Sequence, residues 1–326
     1  MTTAFYTICT LSHLGQAQTL ARSLFDVHPG ARLFIGLVDR LDCSLDLSHL
    51  GQAEVVEVAA LAIPWMEDMS ARYTVPELCF ACKPYFGRYL LDRHTEIQKL
   101  VYLDTDILVF GSFDSMLDRL ERCSAIVTPH CTEPVPGGEE AVALERIVLR
   151  AGILNAGFFA LRRSPSADAF LDWFASRLRT ECLGWAGDQV WLALAPTLFP
   201  GVSIDRDPGL NMAAWNARSR RIEEVAGRLE VNGTPLVFYH YSGFDPDNPL
   251  SASKVPGQSI DVSERMDLRL VLEPITRAIR SPIYRELRGR RSAYGQPPRH
   301  SGPPSRLRRT VKALFRSIGL EVGRAS

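Results

Sequence analysis

Two aspartates, Asp104 and Asp106, lie inside the stretch KLVYLDTDILVF at 99–110. The apolar runs at 100–103 and 107–110 are rich in β-branched and aromatic residues and read as buried strand. Both carboxylates therefore stand where an interior strand ends. A buried charge is costly unless it is paired or bound to a cation. Asp at i and i+2 can converge on one hard divalent ion through oxygen. A plain strand-to-turn break would use Asp as well, since Asp is a common turn residue. Three later stretches carry similar chemistry. Asn155-Ala156-Gly157 interrupts an apolar run at 152–161, and Gly in a strand marks a bulge or a close backbone approach by a ligand. Gly187-Asp188-Gln189 opens an apolar helix, where Asp188 reads as a helix N-cap or as a site carboxylate. His240 ends a late strand, followed by Ser242-Gly243 and, further on, Lys254.

The elements that must position these residues come in a legible order. Residues 4–10 form a short apolar strand, and 14–27 follow with helical spacing until Pro29-Gly30 ends the helix. Strands at 33–38 and 55–58 come next. This β-α-β-β opening, with unbroken hydrophobicity in its strands, implies an α/β fold with a mostly parallel sheet and helices on both faces. Thr74-Val75-Pro76-Glu77 opens another helix, with Thr74 and Glu77 as a capping box. That helix carries Lys83-Pro84 and the pair Cys79 and Cys82, read as buried thiols because no second pair accompanies them. A short helix at 112–122, a strand at 124–128 and an amphipathic helix at 166–182 follow. Residues 133–140 and 207–216 read as loops, and loops are where specificity for a binding partner is expected. A hairpin is expected between 228–231 and 236–241 across Asn232-Gly233.

Composition divides the chain unevenly. Lys+Arg and Asp+Glu both total 37, yet from Arg277 onward there are 13 basic and 2 acidic residues, leaving an acidic body with a basic tail. The expected organisation is a domain at 1–279, a flexible Arg/Pro-rich linker at 280–304 and a basic amphipathic helix at 305–326. In that helix Leu307, Val311, Leu314, Phe315 and Ile318 share one face among arginines, which suits an anionic membrane surface. The N-terminus lacks the pattern of a signal peptide, and no apolar run approaches the ~18 residues of a membrane span. Seven scattered cysteines point to a reducing cytosol. The expected location is cytoplasmic, with a peripheral hold on the inner membrane surface, and no nucleic-acid partner is called for.

Taken together, an N-terminal βαβ half, D-x-D at a strand end, N-x-G, G-D-Q and a late H-x-S-G followed by Lys resemble the nucleotide-sugar glycosyltransferases of the GT-A fold. The pattern is similar to glycosyltransferase family eight, the glycogenins and the bacterial lipopolysaccharide galactosyl- and glucosyltransferases, as a divergent relative. The resemblance covers about residues 3–254. It implies that Asp104, Asp106 and His240 are metal ligands, for Mn²⁺ or Mg²⁺. It implies that Lys254 contacts the donor diphosphate, that Asn155, Gly157, Asp188 and Gln189 line the donor-sugar pocket, and that Lys83 and Asp104 are donor contacts. Catalytic roles fall on Asp188 and Gln189. The implied reaction moves a sugar from a nucleoside-diphosphate sugar, a UDP-sugar by resemblance, to a glycan or lipid-linked acceptor with retention. Two departures stand out. The first strand ends Thr7-Ile8-Cys9-Thr10, without the family's Asp, and Lys254 lies well beyond Gly243, without the family's Pro-Trp.

Two other classes share parts of this pattern. A metal-dependent nucleotidyl- or phosphotransferase also uses paired Asp, but it calls for a glycine-rich phosphate loop, and 10–16 holds only Gly15. A non-catalytic sugar-nucleotide-binding protein would keep the fold without needing all three ligands.

Overall fold

The structure, a computed structural model, describes residues 2–41, 45–184, 186–255 and 258–297. In chain order the N-terminal half supplies β1 (Thr2–Cys9), α1 (Leu14–Val27), β2 (Arg32–Leu37), β3 (Glu54–Glu57), α2 (Met66–Arg72), α3 (Val75–Arg93), β4 (Ile97–Leu103) and β5 (Ile107–Val109). The middle supplies α4 (Asp114–Leu120), β6 (Ala125–Pro129), α5 (Glu139–Ala151), β7 (Leu154–Arg162), α6 (Pro165–Leu178), α7 (Gly187–Leu192) and α8 (Ala195–Leu198). The last third supplies β8 (Val202–Ile204), β9 (Met212–Ala213), β10 (Ile222–Val225), β11 (Arg228–Val231), β12 (Thr234–Pro235), β13 (Phe238–His240), α9 (Arg269–Ala278) and α10 (Pro282–Leu287).

Seven strands form the central sheet in the order β3-β2-β1-β4-β7-β6-β8. β7 runs antiparallel to both its neighbours and the other pairings are parallel, as the unbroken apolar strands lead one to expect. Alternation along β1 splits the interior in two. Ala4, Tyr6 and Ile8 join Phe86 and Leu90 of α3 and Phe170 and Phe174 of α6 on one face. Phe5 joins Leu20 and Leu24 of α1 and Met116 and Leu120 of α4 on the other. The capping box at the start of α3 is present, with the Thr74 backbone N–H donating to Glu77 at 2.8 Å.

Three expectations need correction. Asn232 and Gly233 do turn the chain with positive φ, but β11 pairs with β12 only at Thr234 and Pro235. The rest of that arm, β13, crosses instead to β5 and β9, because Phe238, Tyr239 and His240 are buried and need a covered sheet. The loop at 133–140 runs into α5, whose residues the sequence reading left unassigned. The stretch expected as a flexible linker from 280 is docked on the body as far as it is described. Ser281 caps α10, and Leu287 is wholly buried beside Leu11, Leu14 and Leu37. Beyond it, the Ala293 N–H donates to Asp39 at 2.8 Å, and Gln296 bridges the Tyr73 carbonyl and the Val75 N–H. Gly15 belongs to this contact. A Cβ there would lie 2.7 Å from the Tyr284 Cα, so its glycine admits α10 against α1. The basic helix expected at 305–326 lies outside the described residues. Among the described residues, no helix is long and apolar enough to cross a membrane.

Candidate active site

β4 ends at Leu103, and Asp104-Thr105-Asp106 turns the chain into β5. The Asp104 N–H donates to the Gly157 carbonyl of β7 at 2.8 Å, and the Asp106 carbonyl accepts from the Tyr241 N–H at 2.8 Å. The antiparallel register of β13 on β5 sets His240 opposite Ile107, next to Asp106. His240 Nε2 lies 3.1 Å from Asp106 Oδ1 and 3.9 Å from Asp104 Oδ2. One ligand atom from each of these three residues falls within 4.8 Å of the others, and this is the one such cluster among the described residues. Two carboxylates and an imidazole fit a divalent ion. The electrostatics agree. Burial works against a charged His240, yet Asp106 and then Asp104 outweigh it and raise its proton affinity. The site thus favours positive charge at that spot.

The imidazole is oriented from behind. His240 Nδ1 lies 3.2 Å from Asn211 Oδ1. Asn211 Nδ2 donates to Thr128 Oγ1 and Asn155 Oδ1, at 2.9 and 3.0 Å, which makes its oxygen the acceptor for His240. Nδ1 therefore carries a proton, and Nε2 is the ring atom turned to the aspartates. The chain of amides continues. Asn155 Nδ2 donates to Gln189 Oε1 at 2.7 Å, and Gln189 Nε2 donates to the Ala151 carbonyl at 3.3 Å. Asn155 Nδ2 also lies 3.3 Å from His130 Nε2. Burial pushes His130 down to about 4, so it is neutral at physiological pH and Nε2 can accept. Trp215 stands edge-on to both rings, with centroids 5.1 Å from His240 and 5.2 Å from His130.

Gly157 has a steric explanation. Opposite β6, Thr128 pairs with Asn155 and Val127 with Phe159, so 156–158 bulge out of the ladder. A Cβ on Gly157 would meet His240 Cε1 at 2.3 Å and Asp104 Oδ2 at 2.9 Å. The close approach the sequence suggested is thus made by the cluster's own side chains.

Lys83 is buried beneath the cluster. Its Nζ lies 2.7 Å from Asp188 Oδ2, 3.2 Å from Asp104 Oδ1 and 3.0 Å from the Ala156 carbonyl. Burial lowers its hold on the proton, but Asp104 and Asp188 outweigh burial and keep the ammonium charged. Tyr102 donates its hydroxyl to Asp104. Asp188 is not the N-cap of α7. Ala186 occupies that position, and Asp188 points inward, nearly fully buried, to Lys83. Asn155, Gly157, Lys83, Asp104, Asp106, Asp188, Gln189 and His240 all line one cavity of about 320 Å³. Lys254 lines a second cavity, which shares Asp106 with the first. Its distance from Gly243 in sequence closes in space. The chain loops out after Gly243 and returns, with the Lys254 N–H donating to the Gly243 carbonyl at 2.8 Å.

Sequence reasoning missed Asn211, Trp215 and Tyr102. Asn211 and Trp215 sit in the loop assigned to partner specificity, yet both are buried. That loop braces the cluster. The run of amides in 207–216 was the available signal.

No protein-family model matches the chain. It is 28% identical over 252 residues to the uncharacterized protein YfnF of Bacillus subtilis (strain 168), covering 75% of this chain and 82% of YfnF. It is 24% identical over 254 residues to the uncharacterized protein YfnD of the same strain, covering 74% of this chain and 77% of YfnD. Among solved structures, the galactosyltransferase LgtC, crystallised with donor and acceptor sugar analogs, superposes with a TM-score of 0.50 at 12% identity. That superposition covers 94% of this chain and 99% of LgtC. At this identity the likeness speaks for the fold. With a mixed sheet covered on both faces and D-x-D at the end of β4, the chain has the GT-A fold of the nucleotide-sugar glycosyltransferases.

Proposed function

We propose that the chain is a metal-dependent glycosyltransferase that moves a sugar from a nucleoside-diphosphate sugar, a UDP-sugar in the first instance, to a surface-glycan or lipid-linked acceptor. The observation that carries this reading is the Asp104–Asp106–His240 cluster opening on a cavity floored by Asn155, Asp188 and Gln189. Its carboxylate and imidazole donors suit Mn²⁺ better than Mg²⁺, and such an ion, when bound, neutralises charge growing on the departing diphosphate. The chain's own residues do the positioning. Lys83 ties Asp188 to Asp104, so the sugar end and the diphosphate end of the site are one rigid unit. Asn155 and Gln189 are fixed by their mutual hydrogen bond and hold the donor sugar in one orientation. Lys254 adds positive charge from the second cavity.

Asp188 is engaged by Lys83 and Gln189 is an amide, so neither is a ready nucleophile. This supports attack on the face from which the leaving group departs. The acceptor oxygen bonds to the anomeric carbon, the carbon–oxygen bond to the diphosphate breaks, and the acceptor's proton passes to a phosphate oxygen. Configuration is retained.

The test is a panel of nucleoside-diphosphate sugars scored for Mn²⁺-dependent release of the nucleoside diphosphate. Asp106→Ala should abolish release with melting unchanged. Full activity in excess EDTA would remove the metal from the reading.

The basic tail is proposed as the hold on an anionic membrane. Gln296, next to the last residue described, is bound beside Thr74 and Val75, at the wall of the first cavity. Truncation after Pro304 should remove salt-sensitive binding to anionic liposomes and keep activity on a soluble acceptor. Equal binding by both forms would exclude the tail as anchor.

A further inference from the structure

The second cavity, about 320 Å³, shares His13, Gln16 and Asp106 with the lining of the first. Two fixed cations line it from different parts of the chain: Lys254, returned by the loop beyond Gly243, and Arg288, which follows α10. Phe244, Ile275 and Ile279 add an apolar part to a wall that also carries Ser12, His13, Gln16 and Asp106. Asp106 of the Asp104–Asp106–His240 cluster lines both, so a diphosphate held at the cluster would border this chamber.

The position of Arg288 is built into the fold. Leu287, the residue before it, is wholly buried, and Tyr284, one turn back, is seated on Gly15 of α1. The Arg288 N–H closes the helix on the Tyr284 carbonyl at 3.2 Å. Its guanidinium has one charged partner among the described residues, Asp247 at 3.9 Å, and both side chains are more than half exposed. A pair that long and that exposed contributes little and exchanges readily. A diphosphate offers Arg a planar, two-point contact that Asp247 at this distance does not.

We propose that Arg288 is a ligand of the donor's diphosphate, so that the docked C-terminal segment completes the donor site and Asp247 competes with the donor for the same guanidinium. This rests on the glycosyltransferase reading above. It adds a residue from a part of the chain that the resemblance does not reach.

The experiment measures binding of UDP, with GDP, dTDP, ADP and CDP beside it, to the full chain in Mn²⁺ by calorimetry. Arg288→Gln should weaken the tightest of these about tenfold, the loss of a charge-assisted contact. Arg288→Lys should recover part of that loss. Asp247→Asn should tighten binding by about twofold, an opposite sign that damage to the fold would not produce. Arg285→Gln, an exposed charge on α10 that does not line the chamber, should change nothing. Melting curves on each variant check the fold. Wild-type affinity in Arg288→Gln, with binding still lost in Asp106→Ala, would overturn the role of Arg288 and leave the donor reading standing. Failure of the wild type to bind any of the five would overturn both.

Discussion

Replacing Gly157 with alanine adds one methyl group and reports on the whole cluster. The new Cβ would lie 2.3 Å from His240 Cε1 and 2.9 Å from both Asp104 Oδ2 and Asn155 Oδ1. Carbon atoms settle at about 3.5–4.0 Å, so His240 must retreat by roughly 1.2 Å or more. Metal–ligand distances tolerate about 0.2 Å. His240 cannot retreat freely, since Asn211 holds Nδ1 and Trp215 stands against the ring. The backbone at 157 carries no positive φ, so the effect is steric alone. Overpacking of this kind costs about 1–3 kcal/mol. The displaced imidazole should lower Mn²⁺ affinity by about 100-fold or more, beyond the 10–100-fold typical when only an outer-shell partner is lost. A Mn²⁺ titration followed by tryptophan fluorescence reads the site directly, because Trp215 stacks edge-on against His240. Gly30→Ala is the matched control, since a Cβ there meets nothing within 4 Å. Wild-type Mn²⁺ affinity and melting in Gly157→Ala would refute the geometry on which the cluster rests.

Asn211→Ala removes the group that fixes the His240 tautomer, and Mn²⁺ affinity should fall about 10–100-fold with the three ligands intact; unchanged affinity would return Asn211 to a packing role. His130 predicts an acid limb in stability. Its folded pKa is about 4 against an ordinary 6.5, so between those values the unfolded chain takes up a proton that the folded chain refuses. That contribution, about 3 kcal/mol, is complete above pH 6.5 and is lost as pH falls towards 4. Denaturant melts from pH 4 to 7 should show the slope in the wild type and a flatter one in His130→Gln; parallel profiles would sink the assignment.

What was legible in the sequence was local. The apolar frame around Asp104 and Asp106 gives a strand end by period and residue type alone, and the capping box at Thr74 marks the start of α3 within four residues. His240 was legible only through order and resemblance, because its neighbour Asp106 is reached through the β5–β13 register. Asn211 looks like any loop amide until tertiary packing buries it. Lys254 was set apart from Gly243 by a loop whose closure is one backbone hydrogen bond, which spacing along the chain cannot display. At the C-terminus, abundant arginine hid the apolar face formed by Ile283, Tyr284 and Leu287. At Asp188 residue type left helix cap and site carboxylate both open, since its partner is a lysine more than a hundred positions away.

The charges explain why the site is divided between two cavities. Of the three carboxylates Asp104, Asp106 and Asp188, Lys83 contacts two, and His240 stands beside Asp106. Ionised, the three carboxylates and Lys83 carry a net charge of −2, and one divalent cation beside a neutral His240 would cancel it. Such balance is what low-dielectric surroundings demand. It also means that the first cavity, once loaded with metal, has no positive charge to spare for a nucleoside diphosphate. The further cations must come from outside the cluster, and they must stand where they do not compete with the metal for Asp104 and Asp106. Lys254 and Arg288 meet both conditions by lining the chamber beyond Asp106. In the proposed reaction, the loop after Gly243 and the docked C-terminal segment are the additions that supply the leaving group's counter-charge.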